Sequence, residues 1–301
     1  MRVFVTGASS DIGLKIVKLL VTEGHEVICL SRQTGFKIEN AIIVQGDLQD
    51  SAVFTRYLEN IDLLIHAAAV THTDHTDNYM KINFEGTKEL ISLAETHGTK
   101  RFIFISTRAI GLEGGGYAAS KFLAEESVRG SPINWVIVRL SEVYGTKKGE
   151  GIDALISLVL KRKIIPIIGK GQYLLAPVFV DDVVKAVLNL TKRNKIGRKC
   201  YTICGPETYS MNELISILCR SCSLNRIRIH IPVFLVKVAI SFKRFFPFPF
   251  NITIDQIQRL QIPKDSDFSA AKQDLDFCPR KFHSWLERRR SISNGDQGRN
   301  G

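Results

Sequence analysis

The chain has 301 residues, of which 45% are hydrophobic, and a formal net charge of +11 at pH 7. This composition suits a soluble globular protein with a sizeable core in one or two domains, and the positive charge favours anionic ligands or surfaces as partners. The six cysteines are scattered, and the CxxC of Cys219 and Cys222 has no second pair at zinc-finger spacing. We therefore expect no metal site, and buried thiols in a reducing compartment.

The N-terminal half alternates strand-like and helix-like stretches. The first, "RVFVTG" from Arg2, has the pattern of a buried strand and its turn, so we expect no signal peptide and a cytoplasmic protein. Helical spacing follows in "DIGLKIVKLLVTEG", which stops at Gly24. Later strand-like stretches are "EVICLSR", "AIIVQGDL", "IDLLIHAAA", "RFIFIST" and "NWVIVRL", most of them separated by helices. This alternation predicts an α/β fold with a doubly wound parallel sheet of the Rossmann type.

The pattern loosens after Gly145. A helix is predicted in "GIDALISLVLKRK", a strand feeding a helix in "APVFVDDVVKAVLNL", a strand in "KCYTICG", and a helix from Ser210 with a capping box to Glu213. We predict a dinucleotide-binding Rossmann domain over residues 1–148, with a return segment at about 176–200. A smaller C-terminal α/β substrate lobe is predicted over residues 149–175 and 201–286. The last residues, 287–301, are predicted to be a disordered tail.

One apolar stretch, "IHIPVFLVKVAISFKRFFPFPF" at residues 229–250, resembles a membrane segment. Lys237, Lys243 and Arg244 interrupt it, and the uninterrupted run is too short for a bilayer core of about 30 Å. We therefore predict no transmembrane segment. A helix of the core or substrate lobe is favoured, and a surface that rests on a membrane is the alternative.

A phosphate-binding loop is predicted in "VFVTGASSDIG". Gly7 ends the first strand, and Gly13 lies in the first turn of the next helix, so the backbone can approach a pyrophosphate at the helix N-terminus. An ordinary strand–turn–helix can look similar. The predicted contacts with the cofactor in this loop are Gly7, Ser9, Ser10, Asp11, Ile12 and Gly13.

Tyr117 and Lys121, in "GGGYAASK", are four residues apart and share one face of a predicted helix. A free phenol, with a pKa of about 10, is a poor base near neutral pH. A neighbouring ammonium stabilises the phenolate and makes the phenol a usable proton donor and acceptor. In isolation this spacing is common, and it favours an ordinary helix start with an exposed Tyr and Lys. The upstream glycine loop and the strand that ends in "FIST" favour the catalytic interpretation.

Several motifs together resemble the NAD-dependent epimerase/dehydratase family of extended short-chain dehydrogenases/reductases. They are "TGASSDIG", "GDL" at 46–48, "HAAA" at 66–69, "NFEGT" at 83–87, "YAASK", "RLSEVYG" at 139–145 and "VFVDDVVKAV" at 178–187. The resemblance runs from Met1 to about residue 286. In the loop, Ser10 replaces a glycine of the extended pattern and Asp11 a glycine of the classical pattern. The resemblance implies a nicotinamide cofactor, a small-molecule substrate and, by default, a homodimer; no nucleic-acid partner is expected.

The second strand ends in "VICLSRQ", without the acid that usually binds the ribose 2′-hydroxyl of NAD. A guanidinium at Arg32 would instead favour the 2′-phosphate of NADP. We expect NADP, with NAD as the alternative. The resemblance implies further contacts with the cofactor from Asp47, Leu48, Ala67, Ala68, Ala69, Tyr117 and Lys121.

For catalysis, the resemblance implies a hydroxyl residue at the end of the "FIST" strand that holds the substrate oxygen. Thr107 matches this position, with Ser106 as the alternative. The segment from Thr107 to Tyr117 is shorter than the family usually shows. Tyr117 would transfer the proton at that oxygen, Lys121 would contact the nicotinamide ribose, and the cofactor would exchange hydride at the substrate carbon.

The family mostly acts on nucleotide-diphosphate sugars, which are therefore the expected substrates. Leu174 and Leu175 stand where many such members carry an arginine, although Lys170 or Gln172 could compensate. An NADPH-dependent reductase of a sterol- or flavonoid-type ketone, or a non-catalytic cofactor-binding protein, is the alternative. Family dehydratases carry an acid pair after the catalytic threonine. Because Arg108 and Ala109 follow Thr107, an epimerase or a 4-ketoreductase is favoured.

Two other polar stretches are not expected to be catalytic. The run "HTDHTD" at 72–77 has histidines three residues apart in a loop-like segment, where we predict no metal site and a position over the substrate mouth. Asp181 and Asp182 look like a catalytic pair, but the resemblance implies a structural role near a lobe junction.

Overall fold

The computed structural model describes residues 1–73, 75–241 and 253–287. Apart from Glu287, the predicted disordered tail lies outside these described residues, as does the end of the apolar stretch, 242–250. The strands are, in chain order, β1 Arg2–Thr6, β2 Glu26–Ser31, β3 Ala41–Gln45, β4 Leu63–His66, β5 Arg101–Thr107, β6 Asn134–Leu140, β7 Val143–Tyr144, β8 Ile164–Ile168, β9 Leu174–Leu175, β10 Val178–Phe179, β11 Lys199–Ile203, β12 Tyr209–Ser210 and β13 Ile227–Ile231.

The helices alternate with these strands over most of the chain. They are α1 Asp11–Thr22, α2 Ser51–Phe54, α3 Gly86–Thr96, α4 Gly115–Gly130, α5 Ile152–Lys161, α6 Val180–Lys192, α7 Met211–Ser221, α8 Val233–Ser241, α9 Ile254–Gln261 and α10 Ser269–Leu275. A π-helical segment, Tyr79–Glu85, leads directly into α3. The capping box predicted at the start of α7 is present, since Ser210 and Glu213 exchange both hydrogen bonds.

Seven parallel strands form the main sheet in the order β3-β2-β1-β4-β5-β6-β11. Because successive strand residues face opposite sides of a sheet, β1 contributes Val3 and Val5 to one core and Phe4 to the other. Helices α1, α6 and α10 cover the first side, and α3 and α4 cover the second. The predicted α/β fold with a doubly wound parallel sheet is confirmed.

A second, smaller core lies beyond the main sheet. Helices α5 and α7 pack together, and β8 pairs in parallel with β13. Tyr144, from β7, is fully buried in this core against the rings of Phe282 and Trp285. This second hydrophobic core can support the predicted substrate lobe.

The last two helices return to the main sheet. Helix α9 contacts α4, and α10 contacts β11 and α6. Part of the predicted substrate lobe, residues 201–286, therefore packs on the main sheet and its helices, and the predicted domain boundaries stay a proposal.

Helix α8 lies within the apolar stretch at residues 229–250 that the sequence analysis singled out. Its Phe234 is 63% exposed, and Leu235 and Val238 are also exposed. No helix within residues 1–73, 75–241 and 253–287 is long and apolar enough to cross a membrane. The alternative of peripheral membrane contact through this stretch stays a prediction.

Candidate active site

A cleft of about 390 Å³ opens at the carboxyl ends of the central strands β1, β4 and β5. This is the place where open parallel sheets generally bind their ligands. The phosphate loop forms one wall, the N-terminal part of α4 forms a second, and residues that follow β6 and β7 form a third. Its lining includes Ser10, Asp11, Ile12, Ala67, Ala69, Thr107, Tyr117, Lys121, Glu142 and Arg259.

The phosphate loop packs too closely for side chains at its two glycines. Gly7 has φ +70°, and a Cβ there would lie 2.6 Å from backbone atoms of Ala67 and Ala68. A Cβ on Gly13 would lie 2.2 Å from the carbonyl oxygen of Gly7. The loop therefore presents bare backbone at the start of α1, which is the arrangement that a dinucleotide pyrophosphate requires.

Ser10 shows how this loop functions with two glycines. Its hydroxyl donates to the Gly7 carbonyl at 2.8 Å and accepts from the Gly13 N–H at 3.0 Å, so it caps α1. Asp11 begins the helix, and its carboxylate accepts from the Lys148 N–H at 3.1 Å. This contact attaches the loop that follows β7 to the phosphate loop. Ser9 is half-buried in the same loop, and Ile12 lines the cleft.

The predicted adenine end of the site lies at the ends of β2 and β3. The Arg32 side chain is 64% exposed, and its Nη1 lies 3.5 Å from Oδ2 of Asp47. Ser31 is buried and accepts from the Gln33 N–H. Leu48 is buried in the core beside α3. The structure thus brings the predicted NADP-selecting residue next to a carboxylate.

Two of the three alanines after β4, Ala67 and Ala69, lie in the floor of the cleft beside the phosphate loop. The N–H groups of Ala67 and Ala68 donate to the carbonyl and the hydroxyl of Thr6, respectively. Ala67 and Ala69 line the cleft, and Ala68 packs against the core. Their small side chains let a ligand approach the backbone closely.

The two candidate hydroxyls at the end of β5 differ in their partners. The Thr107 side chain lies beside the Tyr117 phenol, whose pKa it lowers, and its hydroxyl accepts from the Ala109 N–H at 3.1 Å. The Ser106 hydroxyl donates instead to Glu125 at 2.7 Å in a buried contact. Thr107 is therefore the hydroxyl that lies beside Tyr117 in the cleft.

Lys121 is 1% exposed. Its Nζ donates to the carbonyl of Ile105 at 2.8 Å and lies 3.9 Å from the centre of the Phe104 ring. Burial lowers the pKa of Lys121 to about 7, although the nearby Glu125 carboxylate opposes the change. Burial, assisted by the Lys121 charge, lowers the pKa of the neighbouring His66 to about 3.

Helix α9 supplies a contact that the sequence analysis missed. The Asp255 carboxylate accepts from the Tyr117 N–H at 2.9 Å and so caps the start of α4. Gly115 has φ +88°, and a Cβ there would lie 2.6 Å from Oδ1 of Asp255. The glycine run before Tyr117 lets this carboxylate approach. The glycine run itself indicates that another group approaches the backbone closely. Nothing near the run in the sequence identifies that group as Asp255.

The sequence analysis also did not identify Arg259, which lies one turn after Asp255. Its guanidinium lies 4.5 Å from the centre of the Tyr117 ring, and its Nε lies 3.0 Å from Oδ2 of Asp255. Burial raises the pKa of the phenol, the Arg259 charge lowers it, and the Asp255 charge raises it, with a net rise. The cation that opposes the rise in this structure is Arg259, whereas the sequence analysis assigned that role to Lys121.

A buried ion network at the substrate side of the cleft is the third feature that sequence reasoning missed. Glu142 pairs with Arg108 at 2.6 Å and with Lys264 at 3.3 Å, and it accepts from the Ala176 N–H. Burial alone would raise the pKa of Glu142, but the two cations hold it below its usual range. A carboxylate thus stays ionised in the wall of the cleft.

The remaining polar candidates are two aspartates at the start of α6 and the histidines of the "HTDHTD" run. Asp181 pairs with Lys15 at 2.7 Å, and Asp182 pairs with Arg280 at 2.8 Å, so both are held in ion pairs between elements. His72, from the "HTDHTD" run, lines the cleft, and Asp74 lies outside the described residues. In the part of the chain that the structure describes, no three metal-binding side chains lie together.

Comparison with known proteins agrees with this geometry. The model of the NAD dependent epimerase/dehydratase family matches residues 3–204. The photosystem II assembly factor Ycf39 of Synechocystis is 28% identical over 83% of this chain and 77% of its own. A 4-hydroxy-2-methyl-3-oxo-4-farnesyl-3,4-dihydroquinoline-1-oxide ketoreductase of Stigmatella aurantiaca is 25% identical over 72% of each chain. Among solved structures, MoeE5 in complex with UDP-glucose and NAD has a TM-score of 0.76 at 21% identity, over 97% of this chain and 100% of that one.

Proposed function

Because this chain belongs to the NAD-dependent epimerase/dehydratase family, we propose that it catalyses an NAD(P)-dependent oxidation or reduction at a carbon–oxygen bond of its substrate. The observation that carries the proposal is the position of the Thr107 hydroxyl beside the Tyr117 phenol, in a cleft that the phosphate loop also lines. A proton donor and an oxygen-binding hydroxyl thus lie beside the expected cofactor.

The residues that would hold the cofactor fit its shape. The backbone of Gly7 and Gly13 leaves room for the pyrophosphate, and Ala67 and Ala69 border the path to the nicotinamide end. A bound nicotinamide supplies or accepts the hydride. This chain then has to bind the substrate oxygen, keep it in place and move one proton.

Tyr117 moves that proton. In reduction, its phenol donates to the substrate oxygen, and in oxidation the phenolate removes the proton from the substrate hydroxyl. Thr107 holds the same oxygen through its hydroxyl. Lys121, buried at the bottom of the cleft, would contact the nicotinamide ribose.

We propose NADP as the cofactor, with NAD as the alternative, because Arg32 directly follows β2, where an acid would be expected for NAD. Replacing Arg32 by Ala is expected to weaken NADPH binding by about 10-fold, since a hydrogen bond to a charged group contributes about 1.5 kcal/mol or more and this side chain is largely exposed. NADH binding should change by less than about 2-fold, because NADH has no 2′-phosphate. Titration of nicotinamide fluorescence measures both affinities.

Arg162→Ala serves as the control for this substitution, since Arg162 is an exposed arginine just after α5. It should leave both affinities unchanged. An equal loss of NADH and NADPH affinity in Arg32→Ala would contradict a specific contact with the 2′-phosphate, as would an unchanged affinity for NADPH.

For the substrate, a nucleotide-diphosphate sugar is the first candidate, handled by an epimerase or a 4-ketoreductase. The likeness to MoeE5 over the whole chain supports it, because that protein is described with UDP-glucose and NAD. The net charge of +11 supports an anionic substrate as well.

A ketone without a diphosphate is the second candidate, and the wall of the cleft favours it. Leu174 is 57% exposed where an arginine would bind the diphosphate. The nearby cations Arg108 and Lys264 are both bound to Glu142, whose ionised carboxylate would repel a second anion. The likeness to a ketoreductase supports the same candidate.

A substrate panel decides between the two. The purified protein is incubated with NADPH and either nucleotide 4-keto sugars or polycyclic ketones, and with NAD and nucleotide sugars, while the nicotinamide absorbance is followed and the sugars are analysed by chromatography. Turnover of one class identifies the substrate. If neither class reacts while cofactor still binds, a non-catalytic role, in line with the likeness to an assembly factor, replaces the proposal. The homodimer and the cytoplasmic location stay proposals.

A further inference from the structure

We propose that Arg259 is a positioning residue for the Tyr117 proton transfer, and that its fixed positive charge stabilises the phenolate that remains when the proton leaves. This inference rests on the proposed function, since it concerns the same phenol. It assigns a catalytic contribution to a helix more than a hundred residues away from the Tyr117 motif in the sequence.

The position of the guanidinium is the first argument. Arg259 lies 4.5 Å from the centre of the Tyr117 ring. It is held from two sides, because Nε lies 3.0 Å from the Asp255 carboxylate and Nη2 donates to the carbonyl of Thr71 at 3.1 Å. Its side chain is only 15% exposed, so little water screens its charge. A charge fixed in this way acts on the phenol before any ligand binds.

The state of Lys121 is the second argument. Its Nζ is bound to the carbonyl of Ile105, and its pKa of about 7 leaves it mostly neutral above neutral pH. Burial therefore disfavours the charged form of Lys121 and weakens its support of the phenolate. An arginine stays protonated at any pH that the protein survives.

The other charged or titratable groups around the phenol are few. Asp255 lies beside Arg259 on α9, Tyr79 contacts the Tyr117 ring edge-on at 6.0 Å from the π-helical segment, and Lys121 lies one turn along α4. His72, near Glu150, faces Arg259 from the loop after β4. Arg259 lowers the phenol pKa more than Asp255 raises it. Together, the Arg259 and Asp255 charges therefore lower the pKa of the Tyr117 phenol.

In the proposed reaction, one hydride and one proton are transferred to or from the carbon–oxygen bond of the substrate. In reduction, the substrate carbonyl carbon gains a hydride from the reduced nicotinamide, and the carbonyl oxygen gains the Tyr117 proton. The carbonyl becomes a hydroxyl, the nicotinamide is oxidised, and Tyr117 is left as a phenolate beside Arg259. In oxidation, Tyr117 must be a phenolate before it can remove the proton from the substrate hydroxyl. The Arg259 charge therefore raises the fraction of the protein in which Tyr117 is ionised.

The test measures the ionisation of Tyr117 directly. Full-length protein, without substrate or cofactor, is labelled with tyrosine carrying ¹³C at the ζ carbon and is titrated by NMR, and Tyr117→Phe identifies the signal. Arg259→Gln is expected to raise the Tyr117 pKa by about 1 to 2 units, because removing a nearby cation disfavours the phenolate. Arg259→Lys should restore part of the difference, since it returns the charge.

Arg280→Gln is the matched control. Arg280 also stacks on a ring, at 4.3 Å from the centre of Phe179, and also pairs with an aspartate, Asp182. It should leave the Tyr117 pKa unchanged. Asp255→Asn, which keeps an acceptor for the Tyr117 N–H, should lower that pKa because it removes the anion.

An unchanged Tyr117 pKa in Arg259→Gln, or the same rise in Arg280→Gln, overturns the inference. If Arg259→Gln unfolds the protein, Asp255→Asn still tests it, because a Tyr117 pKa that fails to fall contradicts the electrostatic account. None of these pKa measurements requires turnover, so the role of Arg259 can be disproved while the proposed function stands. The substrate panel tests the proposed function separately.

Discussion

Replacing Tyr117 by Phe is expected to lower kcat by about 10²- to 10⁴-fold while cofactor affinity stays within about 2-fold of the original, because the substitution removes a general acid and little else. The Tyr117 ring is buried and contacts Tyr79 and Arg259, and phenylalanine can keep both ring contacts. Only the hydroxyl, which lies beside the Thr107 side chain, is lost.

The measurement pairs steady-state turnover, on whichever substrate the panel identifies, with a nicotinamide fluorescence titration. Tyr201→Phe is the control, since Tyr201 is a buried tyrosine on β11 whose hydroxyl bonds Asp274 at 2.7 Å, away from the cleft. It should keep its activity. If Tyr117→Phe retained turnover within about 3-fold, the proton would have to come from elsewhere and the proposed mechanism would be wrong.

Replacing Gly13 by Ala is expected to lower cofactor affinity by about 100-fold and the free energy of unfolding by about 2 to 3 kcal/mol, as other insertions into close-packed sites do. The added Cβ would lie 2.2 Å from the carbonyl oxygen of Gly7, far inside van der Waals contact. That oxygen also accepts from the Ser10 hydroxyl, so the whole loop must move. A displaced loop cannot keep its backbone at the pyrophosphate.

Thermal unfolding and cofactor titration measure the two effects. Gly130→Ala is the control, because a Cβ on Gly130, at the end of α4, meets nothing within 4 Å. It should change neither quantity beyond about 0.5 kcal/mol. A Gly13→Ala protein with normal stability and normal cofactor affinity would refute the close packing of this loop.

The parts that the sequence predicted correctly depend on local patterns. Strands that are apolar on both faces, such as β1, predict a sheet covered on both sides, and the sheet has that form. The predicted family is confirmed over residues 3–204. The capping box at Ser210 depends on residues three apart, and it forms as predicted. Each of these signals involves neighbours in the chain.

The parts that the sequence did not reveal depend on distant neighbours and on burial. Asp255 caps the helix of Tyr117 from 138 residues away, and Glu142 joins Arg108 and Lys264 across three separate segments. No spacing rule connects such residues. The spacing of Tyr117 and Lys121 did predict that they share a helix, but the electrostatic role of the lysine depends on how deeply it is buried, which spacing does not report.

The contact between α9 and α4 has a consequence for how the protein is made. A nascent chain that has left the ribosome as far as β11 already contains all seven strands of the main sheet and the phosphate loop. It still lacks Asp255 and Arg259, so the helix start at Tyr117 has neither its carboxylate nor its cation. Translation thus supplies every strand of this sheet well before it supplies the carboxylate and the cation at the start of the Tyr117 helix.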